Sequence, residues 1–341
     1  MRHIILLTLT GLLLLPGFAA GIEPCNPNAS EDLRTLLQWL DSLPARKTNR
    51  LIVGHYFNGT VRQGIDTNIT PIYDHTGKWL ALAASDFIWW NSENAGGNVE
   101  ALTEWWKAGG LVMLSWHISN PADPAAGYKG SCDIEQALTE GTDVNRRYMN
   151  SLNKGAEWLL RLQEQGVVVL WRPYHEMNQG FWWGKKDKSQ FARLWVHMFT
   201  FFTQQMGLNN LIWVYAPNVA NYAGYLPEDY YYPGEGFLDV VAIDYYGRPS
   251  LNDIAGGYEK MEASGKPFGI SELGSYGDSK SVIDDIQSKC PRTVFVVPWY
   301  GKFSFIAHGN VEGLVNHPWV MTRDEVDWRA ASEIKGLSPI D

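Results

Sequence analysis

The chain is short of positive charge. Its 341 residues carry 28 Lys and Arg against 37 Asp and Glu, a net charge of −9. Nucleic-acid binding needs a basic face, so this balance argues against such a partner and suits a neutral ligand. Cysteine is scarce as well. Cys25, Cys132 and Cys290 allow at most one disulfide in an oxidising compartment and leave one thiol over. Spacing does not choose among the three pairings. Long apolar runs are missing after the N-terminus, so no membrane segment is expected. There is no linker, repeat or low-complexity tract, which points to one domain. No His-x-x-x-His spacing offers a metal site, and neither metal nor organic cofactor is expected.

The one marked apolar run lies at the start. Arg2 and His3 precede Ile4-Ile5-Leu6-Leu7, and Leu12-Leu13-Leu14-Leu15 leads into Pro16-Gly17-Phe18-Ala19-Ala20. A charged start, a short apolar stretch and a small-residue exit have the form of a secretory signal peptide. The run falls short of the roughly 20 residues that a membrane span requires. Residues 1–20 are therefore read as a leader and 21–341 as a secreted, extracellular domain, expected to be a monomer.

What the chain does have is aromatic surface and a repeated strand pattern. Aromatic residues make up 13% of it, including 16 Trp, more than core packing alone demands. Eight apolar runs of strand length alternate with helical stretches. They are Leu51–Tyr56, Ala84–Trp90, Leu111–Trp116, Val167–Pro173, Leu211–Ala216, Val240–Tyr245, Phe268–Glu272 and Val294–Trp299. Helix patterns are clearest over Glu157–Gln165 and Gln190–Gln205, and a further helix over Ser30–Leu43 has Ser30 as N-cap. Eight alternations in about 300 residues predict an α/β fold, a single (β/α)8 TIM barrel. A doubly wound sheet is the alternative.

The strand ends favour the barrel. They carry His55, Asp86 with Trp89-Trp90, Trp116-His117, Arg172 with His175-Glu176, Asn218, Asp244-Tyr245-Tyr246, Glu272 and Trp299-Tyr300. A barrel gathers all eight ends on one rim, where such enzymes build their sites. An open sheet would string them out too far for one substrate. The long Ser119–Asn145 loop, rich in Pro, Gly and Asp in its first half, is expected to wall the cleft.

The densest signal is Trp171-Arg172-Pro173-Tyr174-His175-Glu176-Met177-Asn178-Gln179-Gly180-Phe181-Trp182-Trp183-Gly184, at the end of the fourth strand. Ionisable groups beside flat apolar rings suit an enzyme that holds a sugar and protonates its glycosidic oxygen. Glu176 there and Glu272 at the seventh strand would face each other across one cleft. A loop Glu more often pairs with an Arg or caps a helix, but both of these stand where a barrel places its site. As a metal ligand with Glu176, His175 is a poor candidate, because adjacent residues on extended chain point to opposite faces. It suits a hydrogen bond to a nucleophile or a sugar hydroxyl. Arg172 suits either a neighbouring carboxylate kept ionised or a buried structural ion pair.

The fourth-strand run resembles the signature of glycoside hydrolase family 26, chiefly endo-β-1,4-mannanases. Trp116-His117, Asp244-Tyr245-Tyr246, Ser271-Glu272 and Trp299 match it in order, over about residues 28–327. The resemblance implies a retaining (β/α)8 enzyme acting on β-mannan polysaccharides and manno-oligosaccharides. It implies Glu176 as acid/base and Glu272 as nucleophile. His117 would contact the sugar in the reactive subsite or its neighbour, and Tyr246 and His175 would hydrogen-bond the nucleophile. Trp299 would floor the reactive subsite, and Asp244 would support the site or bind a mannose hydroxyl. Arg172, Trp182 and Trp183 complete the expected substrate-binding set. Other activities of the family are alternatives: β-1,3-xylanase, mixed-linkage glucanase or an exo-acting mannobiohydrolase. So is a barrel that only binds carbohydrate, although that would need neither Glu.

One departure stands out. The family commonly carries one residue more before Trp-Phe-Trp-Trp-Gly, whereas here Gln179-Gly180 leads directly into Phe181-Trp182-Trp183-Gly184. A stacking ring just outside the reactive subsite is then missing, or comes from another loop.

Overall fold

The structure, a computed structural model, describes residues 21–330 apart from 221–222, 248–250 and 275. Eight parallel strands form a closed ring: β1 Leu51–Tyr56, β2 Leu82–Asp86, β3 Leu111–Trp116, β4 Val169–Pro173, β5 Leu211–Tyr215, β6 Val240–Tyr246, β7 Phe268–Gly274 and β8 Thr293–Pro298. β1 closes it by pairing with both β2 and β8. A two-residue strand, β9 Val320–Met321, lies along the start of β1. Helices cover the outside, so the strands are buried on both faces and read as near-continuous apolar runs. The predicted (β/α)8 barrel is the observed fold.

Several boundaries differ from expectation for local reasons. β2 starts at Leu82 and stops at Asp86, short of Trp90. The Asp86 carboxylate accepts the Ile88 backbone N–H at 2.8 Å and turns the chain into a short 3₁₀ segment, Phe87–Trp89. The helix read at Glu157–Gln165 is the second half of a longer one, Asp143–Glu164, capped by Thr142. The one read at Gln190–Gln205 starts at Lys188, where Asp187 caps it, and passes at Phe201–Gln205 into a wider π turn. Ser30 is the N-cap of Glu31–Ser42, its Oγ accepting the Leu33 N–H at 3.2 Å. β7 contains Gly269, where a Cβ would lie 2.1 Å from the Phe295 ring; only glycine lets β7 and β8 meet there.

The stretch expected as a Ser119–Asn145 loop holds a short helix, Ile134–Leu138, and runs into the helix that starts at Asp143. Its first part is tied by Asn120, whose Nδ2 donates to Lys129 and Ser131 carbonyls at 2.9 and 3.2 Å. The stretch packs Tyr128 against His117, with ring centres 4.8 Å apart, but none of its residues lines the cleft that holds Glu176 and Glu272. All three cysteines are free thiols, so no disulfide forms among the described residues. The expected leader, residues 1–20, lies outside them. No helix among the described residues is long and apolar enough to cross a membrane.

Candidate active site

The C-terminal strand ends surround a cleft of about 390 Å³ lined by His117, Glu176, Gln179, Asn218, Tyr225, Tyr246, Glu272 and Trp299. At its floor Arg172 is wholly buried. It bridges Asp244, at 2.5 Å, and Glu272, and its Nε donates to the Tyr56 hydroxyl at 3.2 Å. Glu272 Oε2 accepts the Tyr246 hydroxyl at 2.6 Å. Asp244 Oδ1 accepts the Ser271 hydroxyl at 2.6 Å. A register shift between Ile243 and Asp244 sets Asp244 directly beside Glu272 on the neighbouring strand. Such an irregularity at a barrel rim re-aims side chains.

Glu176 hangs over this floor on strained backbone. Tyr174 and Glu176 have φ of 47° and 53°, left-handed values that side chains other than glycine rarely adopt. The Glu176 N–H is held by the Ala216 carbonyl at 2.7 Å. Its carboxylate accepts from Asn218 Nδ2 at 2.6 Å and from Gln179 Nε2. Oxygens of Glu176, Asp244 and Glu272 come within 4.8 Å of one another.

Burial pushes the Glu176 carboxyl well above its ordinary pKa, and the nearby carboxylates of Glu272 and Asp244 push the same way against Arg172 and Asn218. Asp244 is raised to about 7, by burial first, with Arg172 opposing. At the third strand His117 Nδ1 contacts the Asp86 carboxylate at 2.8 Å. Burial would lower His117, but Asp86 outweighs it and the imidazole is raised. His175 is lowered well below its ordinary value by burial, then by Arg172 and His117. The two rings meet Nε2 to Nε2 at 3.1 Å.

Among the described residues two groups have the composition and spacing of metal ligands: Asp86, His117 and His175, and Glu176, Asp244 and Glu272. In the second the Arg172 guanidinium already supplies the positive charge among the carboxylates. In the first, His117 Nδ1 is committed to Asp86.

A barrel rim with two facing carboxylates is found in many hydrolases, and fold alone does not assign a family. The family model of glycosyl hydrolase family 26 matches residues 25–325, nearly all the described chain. The chain belongs to glycosyl hydrolase family 26. It is 33% identical, over 91% of its length, to a Caldalkalibacillus mannanilyticus protein named mannan endo-1,4-beta-mannosidase A and B, of which it spans 64%. It is 31% identical to a Bacillus subtilis mannan endo-1,4-beta-mannosidase, with 96% of each chain covered. Among solved structures, Bacillus subtilis mannanase man26 superimposes with a TM-score of 0.81 at 29% identity, covering 89% of this chain and 96% of that one.

Within this family 26 barrel the ten expected site residues fall into two layers. Glu176, Glu272, His117, Tyr246 and Trp299 line the cleft. Arg172, His175, Trp182, Trp183 and Asp244 do not reach it as expected: each is 0% exposed and lies behind the cleft surface. Trp182 and Trp183 spend their indole N–H groups on the Ile118 and His175 carbonyls, both at 2.8 Å, and so brace the loop instead of presenting a sugar-stacking face. Arg172 and Asp244 are consumed by each other, Glu272 and Ser271. Asp244 stands behind the cleft surface, held by Arg172 and Ser271. His175 stands 3.8 Å from Glu272 Oε1, beyond a hydrogen bond, because Arg172 holds that oxygen and His117 occupies its Nε2. The opposite-faces expectation for His175 and Glu176 also fails. The chain there is not extended, and both side chains turn toward Glu272.

Gln179 and Tyr225 were not anticipated. Gln179 lies within the signature itself, three residues after Glu176, but a glutamine there carries no motif meaning. Tyr225 comes from the loop after β5 and has no local signal. Asn218 was visible as a strand-end polar residue without a role.

Proposed function

We propose that this protein is a secreted endo-β-1,4-mannanase that hydrolyses mannan, glucomannan or galactomannan with net retention. Glu176 acts as acid/base and Glu272 as nucleophile. The carrying observation is that one oxygen of each carboxyl lies within 4.8 Å of the other, a close approach across the cleft. Retaining glycosidases hold their carboxyls about 5–5.5 Å apart, whereas inverting ones leave about 6.5–9.5 Å for a water. The relatives' names supply the substrate class. The leader-like residues 1–20 support secretion.

The steps follow from the contacts. Protonated Glu176 gives its proton to the glycosidic oxygen as the C1–O bond breaks, and a Glu272 oxygen bonds to C1. Burial and neighbouring negative charge keep Glu176 protonated toward neutral pH. Forming the glycosyl ester removes the Glu272 charge, and with it one cause that raised Glu176. Glu176 then takes a proton from water, which attacks C1 and frees Glu272. Arg172 and Tyr246 hold Glu272 in line. Activity should fall as pH rises through the Glu176 pKa, because the acid is lost.

Proton NMR of a fresh mannan digest tests this reading: the first reducing ends should be β anomers. Initial α anomers would remove the double-displacement assignment, and no release from any β-mannan would remove the substrate.

Trp299 serves as the apolar platform. It is partly exposed in the cleft and packs against Tyr56, with ring centres 4.8 Å apart. Trp299→Ala should cut kcat/KM by about 100-fold or more while costing less stability than a core aromatic deletion, which is about 3–5 kcal/mol. A full core-sized loss on thermal unfolding would place the ring in the barrel interior.

A further inference from the structure

Gln179 occupies the segment where this chain departs from the family pattern. Its neighbour Gly180 is open, with nothing within 4 Å of a built Cβ. In place of a stacking ring, the cleft here holds a polar pair. Gln179 Nε2 donates to Glu176 Oε2, and Gln179 Oε1 accepts the Tyr225 hydroxyl at 2.7 Å. Both residues line the cleft beside Glu176. Asn218 already donates to the other Glu176 oxygen. The carboxylate therefore has an amide N–H on each oxygen.

An amide in this position has two uses. Toward ionised Glu176 it donates an N–H. Toward protonated Glu176 it can turn over, accept the carboxyl proton at Oε1 and donate Nε2–H to the Tyr225 oxygen. Glu176 alternates between these two states in each turnover of the reaction proposed above, and this inference rests on that reading for its place in the cycle. Apart from the second amide, Asn218, the other groups that face Glu176 do not adapt in this way. Arg172 on β4 is committed to Asp244 and Glu272. Asp244 and Tyr246 on β6 and Glu272 on β7 are bonded to their own partners. His117 after β3 and His175 after β4 are bonded to each other.

We propose that Gln179, braced by Tyr225, is a positioning residue for the acid/base: it holds the Glu176 carboxylate in its ionised form and sets the pH at which the acid is spent. A hydrogen bond to a charged group is strong enough to shift such a group by about one pH unit. The sign follows from the orientation present, in which Nε2 donates to Glu176 while the Tyr225 hydroxyl holds Oε1. Removing a donor to the ionised form raises the pKa of Glu176, so the alkaline limb of kcat/KM moves to higher pH.

The test has two readouts on the full chain. Carbon-13 NMR titration of glutamate carboxyls, with Glu176→Gln to assign the resonance, reads the Glu176 pKa without substrate. The pH profile of kcat/KM on mannan reads it in use. Gln179→Leu, which fills the space without a donor, should raise the Glu176 pKa and the alkaline limb by about one unit. Tyr225→Phe, which removes the brace, should move both the same way by less. Unmoved carboxyl titration in folded Gln179→Leu overturns the proposal, whatever happens to the rate. If the unsubstituted protein leaves mannan intact, the reaction assignment fails, and the carboxyl titration still decides the role of Gln179.

Discussion

Glu272→Ala should lose essentially all turnover, on the order of 10⁵-fold or more, on mannan and on aryl mannosides alike. No leaving group, however good, replaces the missing bond to C1. Glu176→Ala should fail selectively. On mannan it should lose roughly 10²–10⁴-fold, the usual worth of a general acid. On aryl mannosides whose phenolate leaves without a proton, glycosyl transfer should survive and the second step should become limiting. Azide should then rescue Glu176→Ala and yield the β-mannosyl azide, because the anion enters the space left by the carboxylate and attacks the ester from that face. Azide with Glu272→Ala should give only the α product, from direct displacement. The outcome that would sink the role assignment is equal loss on both substrate classes for Glu176→Ala, with no β-azide formed.

Arg172→Met should be the most damaging change outside the two glutamates. Arg172 is the positive charge shared by buried Asp244 and Glu272, and Glu176 adds a third carboxyl within 4.8 Å. Removing one partner of a buried ion pair costs about 3–5 kcal/mol, because a charge is left uncompensated. That penalty should depend on pH. Asp244 is already raised to about 7 with Arg172 present, and loss of the guanidinium raises it further. A carboxyl with a raised folded pKa costs most above that value and nothing below its unfolded pKa of about 4. Urea unfolding should therefore show a large difference between Arg172→Met and the unsubstituted protein at pH 8 and a much smaller one at pH 4. Equal differences at both pH values would make the effect one of packing alone. Activity should fall with stability at pH 8, since Glu272 loses the contact that holds it in line.

Much of the site was legible because a parallel barrel strand writes its burial and its chemistry in sequence order. Val169-Leu170-Trp171 is apolar on both faces, and the change at Arg172 marks the rim. The same rule located Glu272 and Trp299. It failed where the chain stops being a strand. Alternation assigns faces only on extended backbone, so the left-handed residues Tyr174 and Glu176 made the expected separation of His175 from Glu176 wrong. It also failed for Trp182 and Trp183. A tryptophan reads alike whether its ring meets a sugar or a neighbouring loop, and only the satisfied indole N–H groups tell the two apart.

The sequence by itself determined the barrel and the family and placed Glu176 and Glu272 at strand ends, since strand period, strand-end chemistry and the fourth-strand signature are local patterns. It also marked the segment at Gln179 as unusual. Only the tertiary structure decided which residues touch the cleft and which stand behind it. Arg172 meets Glu272 across 100 positions and Asn218 meets Glu176 across 42. Tyr225 reaches Gln179 across 46. Such pairings are set by ring closure, by the register shift at Asp244 and by loop paths, none of which leaves a periodic trace. Neighbouring charge and depth of burial decide which carboxyl keeps its proton, and both are properties of the assembled rim.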